Sequence, residues 1–212
     1  MADTILELEQ IEDAIVTYIS EFRIRQHVVV PNVSWGLLNH EADLLVMSKA
    51  GYLTEIEIKR SWHDFMKDFQ KSHTHNDDKI SYLYYAVPRL IAPKVEQYLY
   101  VFGDTYASWD KDHKHPQTGV VGYSEHNPNH CGLIIYENTT NRKGEPVSIA
   151  RIKHYAQKIG KYKLSQDEQF QLMRLGLMRV WNLKKKVAKL ENELYEANKV
   201  PSIPILRLKE HL

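Results

Sequence analysis

The chain has 212 residues, 43% hydrophobic and 26% charged, with only 9 glycines and 8 prolines, which excludes disordered and fibrous classes and fits one ordinary domain with an appendage. A single cysteine excludes both a disulfide framework and a cysteine-rich zinc module, and no apolar run approaches the roughly 18 residues of a membrane span. The net charge is +1, and the N-terminus is acidic where a secretory leader is basic and then apolar, so the expectation is a soluble, cytoplasmic protein with no membrane partner.

Residues 3–24 predict an amphipathic helix, capped by Asp3 or Thr4, with Ile5, Leu8, Ile11 or Ile15, Ile19 and Phe22 at helical spacing. HVVVPN (27–32) is a short β-rich run that Pro31 is expected to end. EADLLVM (41–47) and YLTEIEIK (52–59) predict two strands around a tight turn. SWHDFMKDFQK (61–71) returns to helical spacing, with Ser61 as cap and Trp62, Phe65, Met66 and Phe69 on one side. ISYLYYAVP (80–88) reads as a buried strand and PKVEQYLYVF (93–102) as a helix with Pro93 in its first turn. Residues 103–130 are loop-like, CGLIIYE (131–137) is a further strand, NRKGEP (141–146) is a turn, and 147–156 suits strand or helix equally. One long helix is expected from Ser165 to about Ala197. This order predicts an α/β architecture: a mixed sheet flanked by helices over 1–163 with a loop-rich insert near 103–130, a basic C-terminal helix over 164–198, and a tail over 199–212.

The hairpin at 41–59 carries the chemistry. A three-residue loop at Lys49-Ala50-Gly51, with Gly51 left-handed, sets Asp43 opposite Glu57, Glu41 opposite Lys59 and Leu45 opposite Glu55. Ala42, Leu44 and Val46 then share the other face with Thr54, Ile56 and Ile58, as a core surface. Opposed Cβ atoms lie about 4.5–5.5 Å apart, close enough for Asp43 and Glu57 to share one Mg²⁺ or Mn²⁺. Lys59 would stand beside the ion's waters, and Glu41 or Glu55 is a candidate for a second ion.

Asp43, followed after thirteen residues by Glu57-Ile58-Lys59, resembles the PD-(D/E)xK nuclease signature. The stretch EADLLVMSKAGYLTEIEIKRSWHDFMKDFQK…KISYLYYAVP is more specifically similar to the MmcB-like branch, a group of DNA-repair or phage-associated proteins, over roughly residues 3–90. The resemblance implies a restriction-endonuclease-like αβββαβ core. It further implies Asp43, Glu57 and the Ile58 carbonyl as metal ligands, Lys59 as catalytic lysine, and Glu12 as a candidate acid from the first helix. The proline of the signature is replaced by Ala42.

The charge is unevenly spread: residues 1–60 carry 5 basic and 10 acidic side chains, whereas residues 148–189 carry 11 basic and 2 acidic. A solvated helical face accounts for such a segment, and so does a DNA backbone lying on Arg151, Lys153, Lys184, Lys185 and Lys186. Lys67, Lys71 and Lys79 are candidates for a phosphate track nearer the hairpin. The histidines at 73, 75, 113, 115, 126 and 130 lack companions at structural-zinc spacing, and Cys131 reads as a small buried hydrophobe. Leu183, Val187, Leu190 and Leu194 form a short heptad seam that would serve a homodimer or docking onto the parent domain. The expected function is metal-dependent DNA hydrolysis, and the alternative is a nucleic-acid-binding or assembly module that keeps the fold without cleaving.

Overall fold

A computed structural model of the chain describes residues 7–23, 27–33, 36–70, 77–102 and 120–198. In chain order the elements are α1 (Leu8–Arg23), β1 (His27–Val33), β2 (Ala42–Ser48), β3 (Leu53–Ile58), α2 (Trp62–Asp68), β4 (Ile80–Pro88), α3 (Ala92–Leu99), β5 (Tyr100–Phe102), β6 (Val120–Tyr123), β7 (Gly132–Thr140), β8 (Pro146–His154) and α4 (Gln166–Asn198). Residues through Leu175 form one compact unit and those from Gly176 a second, so α4 contributes its first turns to the former.

Six strands make one mixed sheet in the order β1-β2-β3-β4-β7-β8. β1, β2 and β3 pair antiparallel, β3, β4 and β7 run parallel, and β8 returns antiparallel to β7. Parallel neighbours need crossovers, and α2 supplies the one between β3 and β4. Both faces of the sheet are covered. On one, Ile11, Ala14 and Ile15 of α1 pack on Leu44, Val46, Ile56, Ile58 and Ala86. On the other, Phe65 of α2 and Val95 and Leu99 of α3 pack on Leu83, Tyr85 and Val87. A third cluster joins Val30, Leu45, Met47 and Leu53 to Leu164 and Leu172, so the beginning of α4 belongs to the core.

Local chemistry decides several element ends. Gly51 has φ of 85° and its amide reaches the Ser48 carbonyl at 2.8 Å, the left-handed turn expected of the hairpin. Ser61 caps α2 by accepting from the Asp64 amide at 3.1 Å, while Asp64 accepts from the Arg60 amide at 3.0 Å. Ser165 and Glu168 repeat that reciprocal cap at the start of α4. The expected cap of α1 at Asp3 or Thr4, and Ile5, lie outside the described residues.

Four expectations need correction. Pro31 does not end β1, because among the described residues β1 is an edge strand paired with β2 alone, and an edge tolerates the missing donor. The segment after Pro93 is helical only to Leu99. Tyr100-Val101-Phe102 is extended and pairs with Val120–Tyr123, residues expected to be loop. The ambiguous 147–156 is strand, since β7 offers β8 a full ladder from Pro146 to His154. Ala42 joins Leu45 and Met47 in the third cluster and not Leu44 and Val46.

From Tyr155 to Ser165 the chain is extended without joining the sheet. It is held by Gln157 to the His130 carbonyl, Ile159 to the Ser81 carbonyl and Leu164 to the Gly51 carbonyl, at 2.9–3.0 Å. Gly160 permits this approach: a Cβ there would stand 2.2 Å from the Ile80 carbonyl oxygen.

Candidate active site

The β2–β3 register brings the expected residues together. Leu44 pairs with Ile56, Leu45 with Glu55 and Val46 with Thr54, which puts Asp43 beside Glu57. The Asp43 amide approaches Glu57 Oε1 at 3.4 Å, and the Ile58 amide donates to Asp43 Oδ2 at 2.8 Å. Glu57 and Lys59 lie at the C-terminal end of β3, where it runs parallel to β4, with Glu57 alongside Tyr85. Crevices beyond the carboxyl ends of parallel strands are where open α/β sheets place ligands.

The face expected to converge on an ion is also buried. Glu55, Glu57 and Lys59 are 0%, 4% and 4% exposed. Burying charge without partners costs several kcal/mol per ion, so the partners define the site. Lys59 Nζ lies 2.8 Å from Glu57 Oε2 and 3.0 Å from Asp68 Oδ1, and Asp68 Oδ2 accepts from the Tyr85 hydroxyl at 3.2 Å. Burial opposes the lysine's charge, but the Glu57 and Asp68 carboxylates outweigh it and hold the ammonium above the ordinary lysine pKa. The Lys59 carbonyl in turn accepts from the Tyr136 hydroxyl at 3.2 Å, fixing the chain just beyond β3.

Asp43 is biased the other way. Burial raises its pKa; the Ile58 amide and Lys59 lower it, and Asp64 and Asp68 raise it again. Glu12, from α1, is likewise raised, chiefly by burial, with its Asn32 hydrogen bond opposing and Glu9 and Asp43 adding repulsion. The Asp43 contribution is the smallest of these four.

Other expected residues separate. Glu41 is exposed, one residue before β2, and Lys59 is paired with Glu57 and Asp68. Glu55 meets His40, whose Nε2 is 2.7 Å from Glu55 Oε1 and whose Nδ1 is 2.7 Å from Asn39 Oδ1. Lys67 is exposed on α2 beside Asp68, and Lys71 lies outside the described residues. Lys79 precedes β4, at the opposite end from Glu57, and is taken up by the Leu37 carbonyl at 2.7 Å and Glu168 at 3.2 Å. Arg151 and Lys153, on edge strand β8, lie 3.7 Å from Glu137 and Glu96. Lys184, Lys185 and Lys186 are exposed residues of the second unit.

Among the described residues, the histidines near Cys131 are engaged with aromatic rings. His126 stacks on Tyr98 at 4.3 Å, and His130 stacks on Tyr123 at 4.6 Å. Cys131 is buried, its thiol hydrogen-bonded to Asn127 Oδ1 at 2.8 Å and its pKa pushed up by burial to about 12. The histidines at 73, 75, 113 and 115 lie outside the described residues.

Sequence reasoning missed Asp68 and His40. The spacing of Asp64 and Asp68 before Phe65 and Phe69 marked a helix, and the one available signal for Asp68 was its place one residue before an apolar position of that helix. His40 had no local signal, because its partner is fifteen residues away across the hairpin.

No family model and no curated protein matches the chain. Among solved structures, a protein of unknown function from Silicibacter pomeroyi is similar at 14% sequence identity, over 88% of this chain and 96% of that one, with a TM-score of 0.50. At that identity the likeness concerns the fold alone: an α/β protein with a mixed sheet. Among the described residues no helix is long and apolar enough to cross a membrane.

Proposed function

We propose that this chain is a metal-dependent phosphodiesterase of the PD-(D/E)xK type, acting on DNA, with a restriction-endonuclease-like core. The observation that carries the reading is the meeting of Asp43, Glu57 and Lys59 at the C-terminal end of β3. The order α1-β1-β2-β3-α2-β4 supports it, as does an acid of α1 that senses the charge of Asp43.

The donor set fits a hard cation. Among the described residues no group of three or more His, Cys, Asp or Glu is placed to hold a metal, but Mg²⁺ commonly takes one or two carboxylates together with waters and substrate phosphate. Asp43 and Glu57 would be those carboxylates, with the carbonyl of Ile58, the residue after Glu57, as a further ligand. A bound Mg²⁺ or Mn²⁺ would supply a polarised phosphoryl oxygen and an activated water. Lys59 stays protonated between two carboxylates, so its role is fixed positive charge beside the developing negative charge, not proton abstraction. Asp68 is a positioning residue that holds Lys59 through its other carboxylate contact.

A second reading, a module that binds nucleic acid without cutting it, is favoured by the same burial: Lys59 is enclosed in a satisfied ion-pair network that needs no substrate. The deciding experiment incubates the protein with Mg²⁺ or Mn²⁺ and single-stranded, duplex or branched DNA. Cleavage is expected to disappear in Lys59→Ala and in Asp43→Asn; cleavage that survives both refutes the site. Absence of cutting by the wild type, together with salt-sensitive duplex binding, supports the binding module. Reversing Lys184, Lys185 and Lys186 to Glu is expected to flatten the salt slope if they carry DNA.

A further inference from the structure

Residues 176–198 of α4 form the described part of the second unit, and a row of their apolar side chains is exposed. Val180, Leu183, Val187, Leu190 and Leu194 are each about half or more exposed, at 49%, 60%, 51%, 53% and 63%. Most helices in proteins draw their stability from packing one apolar face. The spacing of these residues alternates three and four, so Val180, Val187 and Leu194 occupy heptad a positions and Leu183, Leu190 and Ala197 occupy d positions. Only another helix with the same repeat fills such a seam with knobs in holes.

The charges beside the seam identify that helix and its direction. Lys184 and Glu191 occupy e positions, and Lys186 and Glu193 occupy g positions, so the first half of the seam is flanked by cations and the second by anions. All four are exposed, and Glu193 also lies 3.6 Å from Lys189 along its own helix. In a parallel pair the flanking contacts conflict: Arg179 would meet the partner's Lys184, which is repulsive, and Lys186 the partner's Glu191, which is attractive, each repeated by symmetry. In an antiparallel pair with Val187 layered on the partner's Leu190 and Leu183 on the partner's Leu194, both flanking pairs that join two charges are attractive. Lys184 then meets the partner's Glu191, and Lys186 meets the partner's Glu193. Each contact occurs twice about the two-fold axis, so the surface is complementary to itself.

We infer that this helix is the dimerisation element of the chain, pairing antiparallel with a second copy in that register. The inference is independent of any nuclease activity, since it uses no residue of the Asp43–Glu57–Lys59 site.

Sedimentation velocity of the full chain over a hundred-fold concentration range tests it. The expected species is twice the 24.9 kDa chain. Val187→Lys with Leu190→Lys is expected to convert it to monomer, and both positions are exposed in the single chain, so folding is preserved. Glu191→Lys with Glu193→Lys is expected to weaken association about tenfold through loss of exposed ion pairs, and adding Lys184→Glu and Lys186→Glu to restore it. For direction, chains bearing Val187→Cys are expected to cross-link to chains bearing Leu190→Cys and not to each other. A wild type that is monomeric throughout, a lysine double variant that remains dimeric, or self-cross-linking of Val187→Cys would each overturn the inference.

Discussion

The two faces of the β2–β3 hairpin are equally removed from water and opposite in chemistry. Toward α1, Leu44, Val46, Ile56 and Ile58 form a surface without charge. On the other face β3 presents Glu55 and Glu57, with Lys59 just beyond the strand, and buries them as deeply, Glu55 against His40 and Lys59 against Asp68 of α2. The first face stabilises the fold in proportion to apolar area removed from water. On the second, desolvation of each charge must be offset by a specific partner, so its geometry tolerates little freedom. Burial alone therefore does not mark a residue as structural. A buried face that carries charge where an apolar one would suffice marks a site.

Lys59→Ala should produce the largest break in that comparison. It leaves Glu57 and Asp68 without their shared cation, and loss of one member of a buried ion pair costs about 3–5 kcal/mol. Chemical denaturation should show this loss, and any cleavage should fall with it by about 10²–10³-fold or more, as for loss of a group stabilising developing charge. Ile56→Ala, on the apolar face, should cost a similar or smaller amount, about 2–5 kcal/mol, from a cavity beneath α1. Its loss should not depend on pH, and cleavage per folded molecule should be unchanged. If Ile56→Ala abolished cleavage in folded protein, the division of labour between the faces would be wrong.

A third prediction concerns the cation itself. Mg²⁺ or Mn²⁺ at about a hundred times its dissociation constant should stabilise the protein by about 2.7 kcal/mol, and Asp43→Asn should remove that shift. Burial raises the folded pKa of Asp43, so its proton is held more tightly in the folded than in the unfolded chain. Its protonation therefore adds stability as pH falls through the raised value, and that contribution is lost as pH rises. Without metal, Asp43→Asn should be at least as stable as the wild type at neutral pH. Metal binding, which needs the carboxylate, should weaken on acidification at a pH above that of an ordinary aspartate. Thermal melts with and without Mg²⁺ across pH check both signs.

The smallest effect lies outside the hairpin. Burial tends to raise the pKa of Glu168, but hydrogen bonds from Ser165, Tyr162 and Lys79 overcome this and lower it to about 2. Its contribution is thus complete above the ordinary glutamate value and lost as pH falls toward 2. Glu168→Gln should flatten the acid limb of stability slightly and leave neutral-pH cleavage unchanged. A steep loss at neutral pH would show that Lys79 and the start of α4 matter to the core more than one ion pair implies.

Much of this was legible from residue order alone. A three-residue loop with a left-handed glycine and a two-residue side-chain period suffice to place Asp43 against Glu57 and to sort Leu44 and Ile56 from Glu55 and Glu57. Ser61 was readable as a cap because a cap is an interaction over three residues. These features depend on backbone geometry close in sequence, and the sequence by itself determined them. Tertiary structure alone decided that the charged face is buried, that Asp68 and Glu57 together enclose Lys59, and that His40 meets Glu55. It also decided that Lys79, Arg151 and Lys153 lie beside acids of their own. The physical reason is one of range. Strand period and turn chemistry act between neighbours, whereas the state of a charge depends on everything packed around it, which only the assembled sheet and helices bring within a few ångströms.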